Sequence, residues 1–405
     1  MLAWKIGRLK MVINSQHEHY INNDVLIKFI RENQIKVPNC KYNTANMIQI
    51  INEYAECSSD NKIKVEQAIN EWISQGRKKI LYRYFEEKID FGEDINVAKK
   101  SIKEKFGLTK EKNLDKLKIP NNNRELWKID FHTENNKIAK LRFLYIEKLS
   151  KKTREDEFIE IALPVIVVLD IDKKEVYVNV ASKSDLYRDT ENKIEAIKVA
   201  QEVLEEVITK LGLSNSISQT QKSELQSILF EIHKEITELP EEIINIADSI
   251  NDEITEFIEK VTKKIEMLDD ELNKDEMLSG VKNVILKNII GMYDDSKIFE
   301  EGKYAISSGI DGAGATMTKF RFNAPAREPV QSKPEYQDIR SILGALEQIR
   351  KDVLFWNSVR NSTDKIRMKM YAHNIGYIQI CFEQYVYRED IENVLSKIRE
   401  FKERR

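Results

Sequence analysis

At 405 residues, with 41% hydrophobic and 33% charged side chains, the chain has the length for two or three domains with separate cores and is too apolar for global disorder. Its longest nearly apolar run, Ile161-Ala-Leu-Pro-Val-Ile-Val-Val-Leu169, is half of what a membrane span needs and contains Pro164, and the N-terminus lacks a secretory core and cleavage site, so no membrane partner and a cytoplasmic location are expected. The net charge of −3 is unevenly spread: 28 basic against 20 acidic residues in 1–150, 9 against 11 in 151–200, 10 against 23 in 201–300 and 18 against 14 in 301–405.

Residues 1–118 read as a helical domain. Val25, Leu26, Phe29 and Ile30 recur at helical spacing over residues 22–34, and Met47, Ile48, Ile51 and Tyr54 do so after the extended stretch Ile35-Lys-Val-Pro-Asn-Cys-Lys41. This helix, extended loop, helix arrangement over residues 22–57 resembles the SAP or HeH class of DNA-binding modules. The resemblance implies a phosphate contact at Lys41, with Lys36 beside it, although Asn39 stands where that pattern has glycine. A further helix is expected over about 62–88, with Val65, Ile69, Trp72 and Ile73 on one face. Arg77, Lys78, Lys79 and Arg83 follow, interleaved with Tyr82, Tyr84 and Phe85, a mixture suited to nucleic-acid backbones and stacked bases.

Over residues 119–190 the period changes to two. Trp127, Ile129 and Phe131 alternate with polar residues, Glu134-Asn-Asn-Lys137 supplies a turn, and Leu141, Phe143 and Tyr145 resume the alternation. A second hairpin runs from Phe158 through Leu169, turns at Asp172-Lys-Lys174 and returns through Val176, Val178 and Val180. An antiparallel sheet, in the form of a four-stranded meander, follows from these signals.

Residues 191–300 form an acidic helical segment. An amphipathic helix is predicted over 192–212, then a Ser/Gln-rich break near 214–223. Beyond it Ile243, Ile246, Ile250, Ile254, Phe257, Val261, Ile265, Leu268 and Leu272 repeat with a period of eleven, the pattern of a nearly straight helix or coiled coil. Such a stripe needs a neighbour, supplied by 192–212, by 280–293 or by a second copy of the chain. Pro240 permits a break at its start, with Glu241 and Glu242 in a first turn that favours anions.

Residues 301–405 read as a C-terminal α+β unit. Ile366, Met368 and Met370 alternate with Lys365, Arg367 and Lys369, placing three cations on one strand face; Asn374-Ile-Gly376 turns the chain into a strand with Ile378, Ile380 and Phe382. A closing helix carries Ile391, Val394, Leu395, Ile398 and Phe401. The whole is an α+β protein.

Candidate sites follow from residue types. The Gly-rich stretch from Ser307 to Lys319, with Gly309, Gly312, Gly314, Lys319 and Arg321, could admit a phosphate to backbone N–H groups, but its order is neither a Walker A loop nor G-x-G-x-x-G. A Mg²⁺-dependent nuclease centre could draw on Asp170, Asp172, Glu175 and Lys183, or on Asp294, Asp295, Glu301 and Lys303. His17 and His19 could share a metal on a strand face. The three cysteines Cys40, Cys57 and Cys381 have no metal-ligand spacing, and no catalytic residue, metal or cofactor is assigned. The reading is a non-enzymatic nucleic-acid-binding scaffold whose acidic helices assemble with a protein partner or with a second copy. The Asn-, Ile- and Lys-rich composition hints at a bacterial phage-defence or mobile-element setting. The alternatives are a metal-dependent nuclease or nucleotide-using enzyme, and a protein-only adaptor.

Overall fold

The computed structural model describes residues 12–37, 43–92, 94–264, 274–293, 295–313, 319–325, 327–361, 363–373 and 376–404. It has two compact units, one of residues up to 216 with Ile380–Arg388, the other of Ile217–Gln379 with Glu389–Arg405.

In the first unit, short helices α1 (Ser15–Glu18), α2 (Asn23–Glu32), α3 (Thr44–Glu56) and α4 (Ser59–Ser74) each begin behind an Asn or Ser. The side chains of Asn14, Asn22, Asn43 and Ser58 accept hydrogen bonds from first-turn N–H groups. A polar cap thus marks the start of each of the four helices. Phe29 packs edge-on against Trp72 with ring centroids 5.4 Å apart.

The helix expected over 62–88 ends at Ser74. Gly76, at φ +100°, turns the chain, and Lys78–Tyr84 form strand β1. The expectation fails for a physical reason: Ile80 through Tyr84 are all buried, and a strand covered on both faces has no alternation to distinguish it from a buried helix.

After α5 (Ile95–Lys105) come β2 (Arg124–Glu134), β3 (Lys137–Lys152), β4 (Phe158–Asp170), β5 (Glu175–Ala181), β6 (Leu186–Tyr187) and β7 (Lys193–Ile194), then α6 (Ala196–Leu211). Strands β2 to β5 form the expected antiparallel meander, with turns at Asn135-Asn136 and at Asp172-Lys-Lys174. Both asparagines have positive φ, as a two-residue hairpin turn demands. Strand β1 adds to β5, and β6 with β7 extends the far edge of β3.

The two faces of this sheet differ. Tyr145 and Glu147 lie on the face under α6, because the Tyr145 hydroxyl donates to Glu206 (3.3 Å) and Arg124 bridges Glu147 to Glu206. Directly paired residues share a face, so Val165 and Val180 lie there too. The other face carries Arg142, Tyr177, Asn179, Tyr82 and Lys78.

The second unit contains α7 (Gln219–Ile236), α8 (Glu241–Asp248), α9 (Asn251–Lys264), α10 (Lys274–Gly291), β8 (Ala305–Ala313), β9 (Lys319–Asn323), α11 (Tyr336–Leu346), β10 (Lys351–Asn357) and β11 (Lys365–His373). Strand β12 (Tyr377–Phe382) begins in it, and helix α12 (Arg388–Glu403) ends the chain. The sheet order is β11-β10-β8-β9, antiparallel throughout, with α7 packed on β8, β10 and β11. All five apolar residues expected on the closing helix are buried.

The single straight helix expected from Ile243 to Leu272 is not formed. Ser249 and Ile250 separate α8 from α9, and residues 265–273, with Ile265, Leu268 and Leu272, lie outside the described residues. The Ser249 hydroxyl donates to Ile246 O (2.8 Å) and the Asn251 amide to the Asp248 carboxylate (3.1 Å), so short polar side chains interrupt the helical ladder. Once the helix breaks, the packed positions become Ile243, Ala247, Ile254 and Ile258, while Ile246 and Phe257 are 42% and 56% exposed. The neighbour of both helices is α10 of the same chain.

Gly376, at φ +80°, leads into β12, and a Cβ there would overlap the Ile217 side chain. Gly376→Ala is expected to destabilise the second unit by about 1–3 kcal/mol through backbone strain and this overlap. A lowered urea midpoint checks it; an unchanged midpoint refutes it.

Candidate functional site

The antiparallel register of β1 and β5 sets Lys78 opposite Ala181, and Ser182 N donates to Arg77 O (2.8 Å). Lys183 follows immediately, so two cations distant in sequence meet at one end of the sheet. Helix α1 is anchored nearby, because Ala162 N donates to the Gln16 side chain (2.9 Å) and the Tyr20 hydroxyl donates to Ala162 O (2.6 Å). The Lys183 ammonium donates to His19 O and lies 5.0 Å from the centre of the Tyr20 ring. Lys78 is 4% exposed, and its ammonium donates to Ile73 O at 2.5 Å.

Among the described residues neither lysine has an ion pair, nor does Lys151 at the end of β3. Burial, with added repulsion from Lys183 and Arg142, pushes the Lys78 ammonium down to about 7. Burial and Lys151 push Lys183 down to about 8. Burial, then Lys183 and Lys151, lowers His19 as well. The charged neighbours acting on these three groups are all cations. An uncompensated buried charge is unfavourable, and each ammonium has donors left over after its one backbone acceptor, so the corner is short of an anion.

The sequence-predicted basic residues divide around this corner. Arg77 is exposed and Lys79 half-buried beside Lys78. Arg83 is buried on the opposite face of β1 and donates to Ser214 O (3.0 Å), away from Lys78. Lys36 is exposed, and Lys41, with the loop carrying the SAP-like signal, lies outside the described residues. On β11 the alternation holds, with Ile366, Met368 and Met370 buried, but Lys365 pairs with Glu300 and the Arg367 guanidinium lies 6.0 Å over the Phe355 ring. Lys151, His19 and Tyr20 were not singled out as anion ligands by sequence. The strand register that brings them together spans more than a hundred residues.

The other candidates resolve differently. Gly309 and Gly312 lie within β8 rather than in a loop, and the Phe320 ring of β9 fills the space beside Gly312. Arg321 pairs with Asp311 at 3.0 Å, and Gly314 and the Lys319 side chain lie outside the described residues. Asp170 takes Lys140 (3.0 Å) and Glu175 takes the Tyr82 hydroxyl (3.2 Å), while Lys183 sits at the opposite end of β5 from both. Asp294 lies outside the described residues, among which no group of three or more His, Cys, Asp or Glu is placed to hold a metal ion. His17 is buried, with Nε2 on Leu114 O (2.7 Å) and Nδ1 accepting from Asn14 N (2.9 Å), so both ring nitrogens are engaged.

In the second unit four elements meet at a buried polar network. The Ser307 hydroxyl donates to Asp352 Oδ1 (2.6 Å), Asp352 Oδ2 bonds His233 Nδ1 (2.7 Å), and His233 Nε2 bonds the Tyr336 hydroxyl (2.5 Å). The residue types suggest a hydrolytic triad, but the geometry does not. The serine touches the aspartate instead of the imidazole, and none of the four side chains reaches solvent. The network is a structural tie between β8, β10, α7 and α11.

No protein family, no curated protein and no solved structure matches this chain. Function has to be read from the sites themselves.

Asp352→Ala would strip both His233 and Ser307 of their shared acceptor, at an expected cost of about 3–5 kcal/mol, with Asp352→Asn costing less. Urea unfolding of the two variants against the parent checks the order.

Proposed function

We propose that the chain is a non-enzymatic nucleic-acid-binding protein that takes backbone phosphate at the basic corner of its first unit. One observation carries this reading: Lys78 and Lys183 are held together, with Lys151 and His19 beside them, and among the described residues neither Lys78 nor Lys183 has an ion pair. A phosphate supplies the missing charge and accepts the spare ammonium donors. Exposed Arg77 adds a cation at the start of β1, whereas half-buried Lys79, paired with Val180, lies on the opposite face from Lys78. This placement concentrates phosphate recognition in the first unit instead of dividing it between both ends of the chain.

Because protonated lysines are required, binding is expected to strengthen as pH falls from about 9 to about 6.5, through the depressed ammonium values. At fixed pH the logarithm of the binding constant should fall against log salt with a slope near about −3, and by about one less after Lys183→Met. Mobility shifts with DNA and RNA at low salt decide the matter; no binding to either sinks the proposal. Lys78→Met separates function from packing. A folded-state value near 7, far below the ordinary lysine value, means the charged form burdens the fold fully below about pH 7, with relief as pH rises toward the unfolded value. At pH 6 the variant should therefore gain about 1–4 kcal/mol of stability while losing phosphate affinity.

Assembly through the acidic helical layer is the second part of the proposal. It is supported by Ile246 and Phe257, which hold corresponding positions of the eleven-residue repeat and face solvent. Phe257→Lys should change stability by no more than about 0.5 kcal/mol and reduce self-association in sedimentation velocity. If the parent sediments as a monomer at all concentrations, self-assembly is refuted and only a different protein partner is left.

A further inference from the structure

Helix α10 is incompletely covered. It carries Met277, Leu278, Val281, Ile285, Leu286 and Ile289, yet among its described residues only Ile290 is buried. Leu286 and Ile289 pack from one side against a small core of Leu239, Ile243, Ile290 and Phe299. The other side opens into a cleft of about 560 Å³ between α8, α10 and α11. That volume is in the range of small-molecule sites. Its apolar lining is Leu239, Ile244, Ala247, Leu278 and Leu286.

The polar lining is what gives the cleft a chemistry. Gln337, in the first turn of α11, is 1% exposed, and its Nε2 has no hydrogen-bond partner among the described residues. Buried amide donors are nearly always satisfied, so an orphan beside a cavity marks a missing acceptor. Arg340 also lines the cleft, three residues on and hence on the same face of α11, and has no ion pair or hydrogen bond among the described residues. The nearby acids are otherwise engaged: Asp248 pairs with Lys282 (3.6 Å) and Asp338 with Lys287. Asp275, the remaining acid of the lining, stands two turns along α10 from Lys282, about 10 Å away.

We propose that this cleft binds a small amphipathic carboxylate. The chain or ring of the ligand lies on the leucine and isoleucine floor, and the carboxylate accepts from Gln337 Nε2 and from the Arg340 guanidinium. A planar monoanion suits one amide donor plus one guanidinium fork. The site is independent of the phosphate corner in the first unit.

Calorimetric titration of the full chain with octanoate, decanoate and laurate tests it, with decanol and decylamine as controls. Affinity should rise about three- to fourfold for each added methylene. Decanoate should bind at least tenfold more tightly than decanol, and decylamine more weakly than either. Arg340→Gln, a half-buried position at which folding is readily verified by circular dichroism, should abolish the preference for decanoate over decanol while leaving decanol affinity unchanged. Gln337→Leu should weaken decanoate and not decanol. Ser279→Trp, at an exposed position of the lining, should reduce binding of all the chains. No saturable binding of decanoate, equal affinity for decanoate and decanol, or an Arg340→Gln variant that keeps the preference each overturns the proposal.

Discussion

Strand β1 joins two parts of the chain that are distant in sequence. Its N-terminal end receives the chain from α4 through the turn at Gly76, and its whole length pairs with β5, from Lys78 opposite Ala181 to Tyr84 opposite Glu175. That pairing, together with the hydrogen bonds of Gln16 and Tyr20 to Ala162, joins the capped N-terminal helices to the meander formed a hundred residues later. It also forces two consequences. Alternate residues of β1 are divided between two buried faces, so Arg83 and Lys78 point to opposite sides of the sheet. The end of β5 brings Lys183 next to Lys78, and α1 with His19 and Tyr20 closes over the same edge through Ala162. The anion-short corner is therefore a by-product of strand register, and the fold tolerates its repulsion because the hydrophobic contacts along β1 outweigh it.

The second unit is organised by an unlike constraint. Its sheet and two of its helices are tied by a satisfied polar network, Ser307 to Asp352 to His233 to Tyr336, in which every group finds a partner in the interior. Such a network specifies one arrangement of β8, β10, α7 and α11, because any slip leaves a buried polar atom unpaired. Among the described residues the α8, α9 and α10 layer has no equivalent tie. It holds by a small apolar core and surface ion pairs, and it is where the exposed Ile246, Phe257 and Val284 and the open cleft are found. Regions of few buried contacts beside a rigid scaffold are where binding surfaces are commonly placed.

The two units thus suggest separate recognition chemistries. The first holds two lysines, Lys78 and Lys183, that have no ion pair among the described residues, a local excess of positive charge that favours an anion. The second presents apolar surface beside the Gln337 amide and the Arg340 guanidinium, neither of whose donors has a hydrogen-bond partner among the described residues, a combination selective for an acceptor carried on an apolar body. Neither depends on a nucleophile or a metal ligand set.

Much of the architecture was legible in the sequence because its signals are local. The Asn135-Asn136 turn, the alternation through Phe143 and Tyr145, the amphipathic α6 and the five apolar positions of α12 all follow from side-chain periodicity and turn chemistry, which act over a few residues. The sequence by itself determined that the protein is α+β, that a meander precedes an acidic helical segment, and that Lys365, Arg367 and Lys369 share a strand face. Three things were decided only by tertiary structure. Burial on both faces made β1 a strand where a helix was expected. Packing on α10, with Ser249 and Asn251 competing for backbone partners, broke the eleven-residue stripe into α8 and α9. Long-range register chose which of 65 lysines and arginines are left without a counter-ion. A charge is paired or unpaired according to what lies a few ångströms away in space, and that distance is set by the folded chain, not by position along it.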